Sequence, residues 1–270
     1  MRVGVIQMRS VDDVARNLSA AHDLVREAVR EGADWVALPE MFGFLRREGQ
    51  AFPCAAPIDE SEILAAVRGW ARTHGVWILG GSVPEAAADG RVYNTSVMVS
   101  PEGRDVAVYR KIHLFDVDLS DQGGQPYRES DSIAPGGEIV SAVTDFGGVG
   151  LSICYDLRFP ELYRALAREP DVRFLTVPSA FAPQTGRDHW EVLLRARAIE
   201  NQCFVVAPAQ WGRHTPDRAS HGHAMVVDPW GQVLADAPDE VCVRVVECDL
   251  EAQDRVRASL PVGAHRRLQP

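Results

Sequence analysis

A chain of 270 residues with 46% hydrophobic content is long enough for one large α/β domain or two small ones, and no Ser/Gly-rich linker or composition break divides it, which favours one domain over 1–270. With 28 basic against 38 acidic side chains, the formal charge of −10 gives no general attraction for phosphate backbones or anionic lipid, so nucleic acid and membrane are not expected partners. The five cysteines (Cys54, Cys154, Cys203, Cys242, Cys248) form no Cys-x-x-Cys pair, which argues against a disulfide framework or a thiolate zinc site; with no signal-peptide pattern and no membrane-length apolar run, the expected location is cytoplasmic.

Hydrophobic periodicity predicts a strand at Val3 to Met8, then an amphipathic helix from Val11 to Arg30 with Leu18, Ala21, Val25 and Val29 at helical spacing. Strand Trp35 to Leu38, helix Glu60 to His74 and strand Val76 to Gly80 follow. Tyr93 to Val99 and Asp105 to Tyr109, separated by Pro101-Glu-Gly103, read as a hairpin. The second half opens with strand Gly148 to Ile153 and helix Pro160 to Arg168, whose proline suits a first helical position. Strand Val172 to Val177, helix Trp190 to Gln202 and strand Phe204 to Ala209 come next. Two apolar runs around a Pro/Gly turn, Ala224 to Ala235, and strand Val241 to Cys248 close the chain. Both halves repeat β-α-β-α-β-hairpin. That repetition suits two sheets packed face to face with helices outside, although periodicity alone leaves one wide sheet open.

Three segments carry chemistry. In Gly150-Leu-Ser-Ile-Cys-Tyr-Asp-Leu-Arg-Phe-Pro-Glu161 an apolar run ends on a thiol where a Pro-initiated helix begins. Unpaired N–H groups at a helix start would favour the thiolate of Cys154, whereas the commonest fate of a free cysteine is core filler. Trp35-Val-Ala-Leu-Pro-Glu40 places a carboxylate at a strand mouth, and Val108-Tyr-Arg-Lys-Ile-His-Leu-Phe-Asp116 flanks Lys111 with apolar residues. Groups at the carboxyl ends of strands converge in open α/β sheets, so these three can meet. Together they supply a base, a cation and a nucleophile. A thiolate adding to an amide carbon creates an oxyanion, which Lys111 and the backbone N–H of Tyr155 would stabilise. Glu40 would take the thiol proton, give it to the departing ammonia and then activate water, work that calls for a carboxylate pKa raised by partial burial.

These segments resemble, motif by motif and over nearly the whole chain, the carbon-nitrogen hydrolases of the nitrilase superfamily. Leu-Pro-Glu40 is similar to the family's base motif, Tyr109-Arg-Lys111-Ile-His-Leu-Phe-Asp116 to its lysine motif, and Ile-Cys154-Tyr-Asp-Leu-Arg-Phe-Pro-Glu161 to its nucleophile motif. The resemblance implies a fourth catalytic residue, Glu129 in Arg-Glu129-Ser-Asp-Ser-Ile-Ala-Pro-Gly, positioning the lysine and the substrate. It also implies a four-layer α-β-β-α sandwich, a homodimer or higher homo-oligomer joined through outer helices, no cofactor, and a small-molecule amide as substrate. Cys-Tyr-Asp resembles the Nit-type amidases, where true nitrilases typically carry Cys-Trp-Glu. The segments 189–200 and 219–231 are most similar to the branch acting on deaminated glutathione, with omega-amidases of 2-oxo acid amides and N-carbamoyl amino acid hydrolases as alternatives. A 2-oxo acid amide brings a carboxylate that needs a cationic or hydrogen-bonding partner, and Tyr155, Phe181 and His189 are the candidate substrate-binding residues.

Rival readings rest on histidine. His214, His221 and His223 cluster in sequence, but no carboxylate or further ligand accompanies them, so no metal is expected. His113 or His189 paired with Cys154 would give a papain-like dyad. A non-catalytic module would need a broken catalytic set, and here all four positions are filled. Arg195, Arg197 and Glu200 at helical spacing read as ion pairs at a surface or subunit interface.

Overall fold

Alternation along the first strand sorts the layers. A computed structural model describes residues 1–47, 49–124, 126–168 and 171–267; the other positions of the 1–270 domain expectation lie outside the described residues. In β1 (Arg2–Met8), Val3 and Val5 join one hydrophobic cluster and Ile6 and Met8 another. Gly4 shares the second face, where an added Cβ would stand 3.0 Å from that of Ala28. That absence of a side chain lets helix α1 (Val14–Arg30) lie close. Its start is three residues later than periodicity predicts, because the Asp13 carboxylate accepts from Arg16 N and caps the helix there.

Strand β2 (Trp35–Ala37), helix α2 (Glu62–His74) and strand β3 (Trp77–Leu79) repeat the arrangement, with α2 closed by Gly75 at φ 64. Then come β4 (Val83–Ala86), β5 (Val92–Val99), β6 (Asp105–Arg110), a ribbon of β7 (Asp116–Asp118) with β8 (Pro126–Arg128), and β9 (Ile133–Ala134). The second half contains β10 (Ser141–Thr144), β11 (Gly147–Gly150), α3 (Pro160–Leu166), β12 (Val172–Thr176), α4 (Pro183–Asn201) and β13 (Phe204–Ala207). It continues with β14 (Ala209–Thr215), β15 (Arg218–His221), β16 (Met225–Val227), β17 (Val233–Asp236), β18 (Cys242–Glu247) and α5 (Leu250–Ser259).

Among the described residues these strands form a ten-stranded sheet along β15-β14-β1-β2-β3-β5-β4, with β18 on β1 and β6 and β9 on β5, and a six-stranded sheet β10-β11-β12-β13-β16-β17. Trp35 from the first sheet meets Phe174 from the second edge-on, ring centres 5.3 Å apart, in the core between them. Outside, α1 and α2 cover Val36, Ile78 and Val97, while α3 and α4 bury Leu162, Trp190, Leu194 and Ala198 against the other sheet. The order is α-β-β-α, as the resemblance implied.

Three differences from the sequence reading have physical causes. Phe204 to Ala209 is not one strand. Pro208 has no N–H to continue a ladder, so β13 ends at Ala207 in the six-stranded sheet and β14 starts at Ala209 in the ten-stranded one, pairing Gln7 with Ala209. Helix α4 begins at Pro183 rather than Trp190, because its first two turns are polar and carry no apolar periodicity. Strand β18 pairs antiparallel with β1, from Arg2↔Glu247 to Gln7↔Cys242, so the repeated halves interleave.

His214 is buried, with Nδ1 2.9 Å from Ser10 O and Nε2 2.9 Å from Ser220 Oγ, so hydrogen bonds engage both ring nitrogens. Burial pushes its pKa from the ordinary 6.5 down to about 4, and does the same to His221. The unfolded chain therefore binds these protons first: stability from both groups is present above about pH 6.5 and lost as pH falls toward 4. Thermal unfolding should show His214→Gln flattening this acid slope; an unchanged slope would assign it to other groups.

Candidate active site

Glu40 is the third residue after β2, Lys111 directly follows β6, and Cys154 opens a 3₁₀ turn (Cys154–Arg158) after β11. All three lie where strands end at one mouth of the sandwich. Cys154 has φ 48, and Met41, next to Glu40, has φ 51. Side chains seldom adopt this left-handed conformation, and here it turns both segments sharply at the site. The Cys154 N–H donates to Pro178 O at 3.0 Å and the Asp156 N–H to Ile153 O at 3.1 Å. Between them the Tyr155 N–H stays outside that pattern.

Lys111 Nζ donates to both Glu129 oxygens at 2.9 and 2.8 Å and to Glu40 Oε1 at 3.3 Å. Glu40 Oε1 also accepts from Asn94 Nδ2 at 2.8 Å, and Oε2 from the Ala180 N–H at 2.8 Å. Glu129 Oε2 accepts from the Phe115 N–H at 2.6 Å, which fixes the carboxylate that grips Lys111. Side-chain exposure is 2% for Lys111, 7% for Glu40 and 18% for Glu129, so the cluster is screened from bulk water and its charges act on each other strongly.

Burial alone would raise the pKa of Glu40, but the Lys111 charge and hydrogen bonds from Cys154, Asn94 and Ala180 overturn it and hold the carboxyl below the ordinary range. This corrects the sequence expectation of a raised value. The Cys154 thiol is pushed well above the ordinary range by burial and then by the Glu40 charge, with Lys111 opposing. The expected preference for thiolate is therefore reversed. In the resting site an ionised carboxylate stands beside a protonated thiol. Burial would lower Lys111, yet Glu129 and Glu40 keep it well above the ordinary lysine value. A cation fixed between two carboxylates, beside a protonated thiol, is an arrangement suited to acyl transfer.

Beneath the turn, fully buried Asp156 accepts from Tyr109 Oη at 2.7 Å, the Ile153 N–H at 2.9 Å and the His113 N–H at 3.0 Å. His113 Nδ1 lies 2.7 Å from Asp156 Oδ1 and the ring stacks on Phe159, so His113 braces the turn from outside the cavity. Arg197, expected to form an ion pair at a surface or subunit interface, does pair with Glu200 at 3.0 Å but is buried, donating to Leu157 O at 3.1 and 2.7 Å and holding the same turn.

A cavity of about 90 Å³ opens above these groups, lined by Glu40, Lys111, Glu129 and Cys154 together with Tyr155 and Phe181. His189 does not line it. That residue is exposed on α4, 3.3 Å from Arg158 Nη1, because the helix turns its Trp190 face inward. Sequence reasoning missed Asn94, the Ala180 N–H, and three cavity arginines, Arg46, Arg128 and Arg218. Only Arg128 had a local signal, being next to Glu129.

The description of a known family, carbon-nitrogen hydrolase, matches residues 2–258. A deaminated glutathione amidase of Synechocystis sp. is 44% identical over 266 residues, covering 97% of this chain and 96% of that protein. Among solved structures, Saccharomyces cerevisiae Nit3, a member of branch 10 of the nitrilase superfamily, superposes with TM-score 0.89 at 29% identity, covering 99% of this chain and 97% of that one. The C. elegans NitFhit protein gives TM-score 0.88 at 39% identity over 98% of this chain, which spans only 65% of that longer protein. The chain therefore belongs to the carbon-nitrogen hydrolases, in the Nit-type amidase branch of the nitrilase superfamily, and hydrolyses amide C–N bonds.

Proposed function

We propose that this amidase cleaves deaminated glutathione through a thioester on Cys154, and the observation that carries the mechanism is the convergence of Glu40, Lys111 and Cys154 in one buried cavity. Glu40 takes the thiol proton as sulfur adds to the carbonyl, and Lys111 with the Tyr155 N–H stabilises the oxyanion. Glu129 positions Lys111. Deaminated glutathione is a 2-oxo acid amide whose scissile nitrogen belongs to cysteinylglycine, so the departing group is that dipeptide's amine, not the ammonia first expected. Water activated by Glu40 then releases 2-oxoglutarate. The reading is supported by the 44% identity to an amidase of that name and by Arg46, Arg128 and Arg218 around the cavity, which suit an acyl group bearing a carboxylate.

Exposed Val192 and Ile199 on α4 and exposed Trp230 support a homodimer through that face, at 68%, 47% and 59% exposure, and five free cysteines suit the reducing cytoplasm. Acid quenching during turnover, followed by mass analysis, should find a 2-oxoglutaryl adduct on Cys154. Turnover that survives Cys154→Ala, or that His113→Ala or His189→Ala abolishes while Cys154 stays unlabelled, would overturn the mechanism. A panel with 2-oxoglutaramate and N-carbamoyl amino acids tests the substrate separately.

A further inference from the structure

A second cavity of about 300 Å³, lined by Gly123, Gly124, Tyr127, Pro183, Gln184, Arg213, Asp217 and Ala219, adjoins the first across Tyr127, which lines both. The rings link the two spaces: Tyr155, beside the thiol, meets Phe115 edge-on with centres 5.0 Å apart, and Phe115 meets Tyr127 at 5.1 Å. The first cavity is small for a substrate of glutathione size, and the second supplies the missing room.

Its polar groups are set for a peptide. Gln184 Nε2 donates to Gly123 O at 3.2 Å, which fixes the amide and leaves Oε1 buried with no hydrogen-bond partner among the described residues. An orphaned buried acceptor is costly, and a ligand N–H aimed at it removes the cost. Arg213 donates to Pro216 O at 2.7 Å and forms no ion pair among the described residues, so its charge remains available to a carboxylate. Gln184 also sits in the first turn of the 19-residue α4, where Ala182 provides no side-chain cap, so the N-terminal partial charge is not offset by a capping side chain. Asp217, whose Oδ1 accepts from Thr215 Oγ1 at 2.5 Å, supplies a carboxylate to the lining.

We infer that this second cavity is the leaving-group subsite: Gln184 Oε1 accepts the peptide N–H of the cysteinylglycine portion and Arg213 pairs with its terminal carboxylate. The inference rests on the substrate reading above. As the thioester forms, the C–N bond breaks, its electron pair stays on nitrogen, and the proton carried by Glu40 completes the amine of the dipeptide held there.

Two amides with the same acyl group separate the effects. In Arg213→Ala and Gln184→Ala, kcat/KM for deaminated glutathione should fall about tenfold or more, mainly through KM, while 2-oxoglutaramate, whose leaving group is ammonia, changes by less than about twofold. Arg213→Lys should restore part of the loss. Calorimetry of free cysteinylglycine with wild type and Arg213→Ala measures the subsite without turnover, and binding should weaken by a similar factor. Equal losses on both amides, no loss on either, or dipeptide binding indifferent to Arg213 would each overturn the inference. Failure of the wild type to hydrolyse deaminated glutathione would instead sink the substrate reading, leaving the calorimetric comparison to decide the subsite.

Discussion

Glu40→Gln is expected to slow amide hydrolysis by about a thousandfold or more while lowering the pKa of Cys154. The two effects run in opposite directions for a physical reason. The Glu40 charge is the second largest influence holding the thiol protonated, and Lys111 pulls the other way. A neutral glutamine removes the first and leaves the second, so thiolate forms more readily than in the wild type. Catalysis nonetheless fails, since glutamine can neither accept the thiol proton, nor protonate the leaving amine, nor activate water for the thioester. Following thiolate ultraviolet absorbance against pH beside steady-state rates tests both halves. A variant that kept its rate would show that a preformed thiolate suffices, and the proposed base would be wrong.

Lys111→Met should be damaging twice. Removing a cation aimed at the oxyanion lowers kcat by about two to three orders of magnitude. Removing it from between two carboxylates leaves Glu40 and Glu129 uncompensated in a nearly dry site, a loss of about 3–5 kcal/mol of stability. The pH dependence identifies the cause. In the wild type, Glu40 has a lowered folded pKa, so its contribution is present above the ordinary 4.5 and lost as pH falls through the folded value. Lys111 has a raised one, so its contribution is complete below the ordinary 10.5 and lost as pH rises through the folded value. Without Lys111 the orphaned carboxylates can be neutralised only by protons. Denaturant unfolding should therefore find the deficit smaller at about pH 5 than at about pH 8. A deficit independent of pH would point to lost packing of the lysine stem instead.

What the sequence revealed of this site follows the locality of each signal. Glu40 and Cys154 each end an apolar run and Lys111 is flanked by apolar residues, patterns written in neighbouring residues. Asn94 stands inside β5 with no mark separating it from its neighbours, and Ala180 contributes only an N–H. Both meet Glu40 through folding alone. Ionisation was the least legible property: a helix start favoured thiolate, whereas burial beside a carboxylate favours thiol. His189 was misplaced because its exposed position depends on the helix face that buries Trp190, which periodicity over the polar first turns of α4 could not set. The repeated halves suggested two packed sheets and the family resemblance implied the layer order, while periodicity alone left one wide sheet open; the interleaving of β14 and β18 depends on long-range pairing.

The crossing at Pro208 bears on how the molecule matures. Glu40 and Lys111 hang from the ten-stranded sheet and Cys154 from the six-stranded one. Immediately beyond the crossing, Gln210 Nε2 donates to Glu40 O at 3.0 Å and Gln210 N to Ser179 O at 2.8 Å, stitching Glu40 to the loop beside Cys154. During synthesis the thiol is complete well before residues 204–215 arrive to close that seam. Glu40, Lys111 and Cys154 therefore share one cavity only where the two sheets pack against each other.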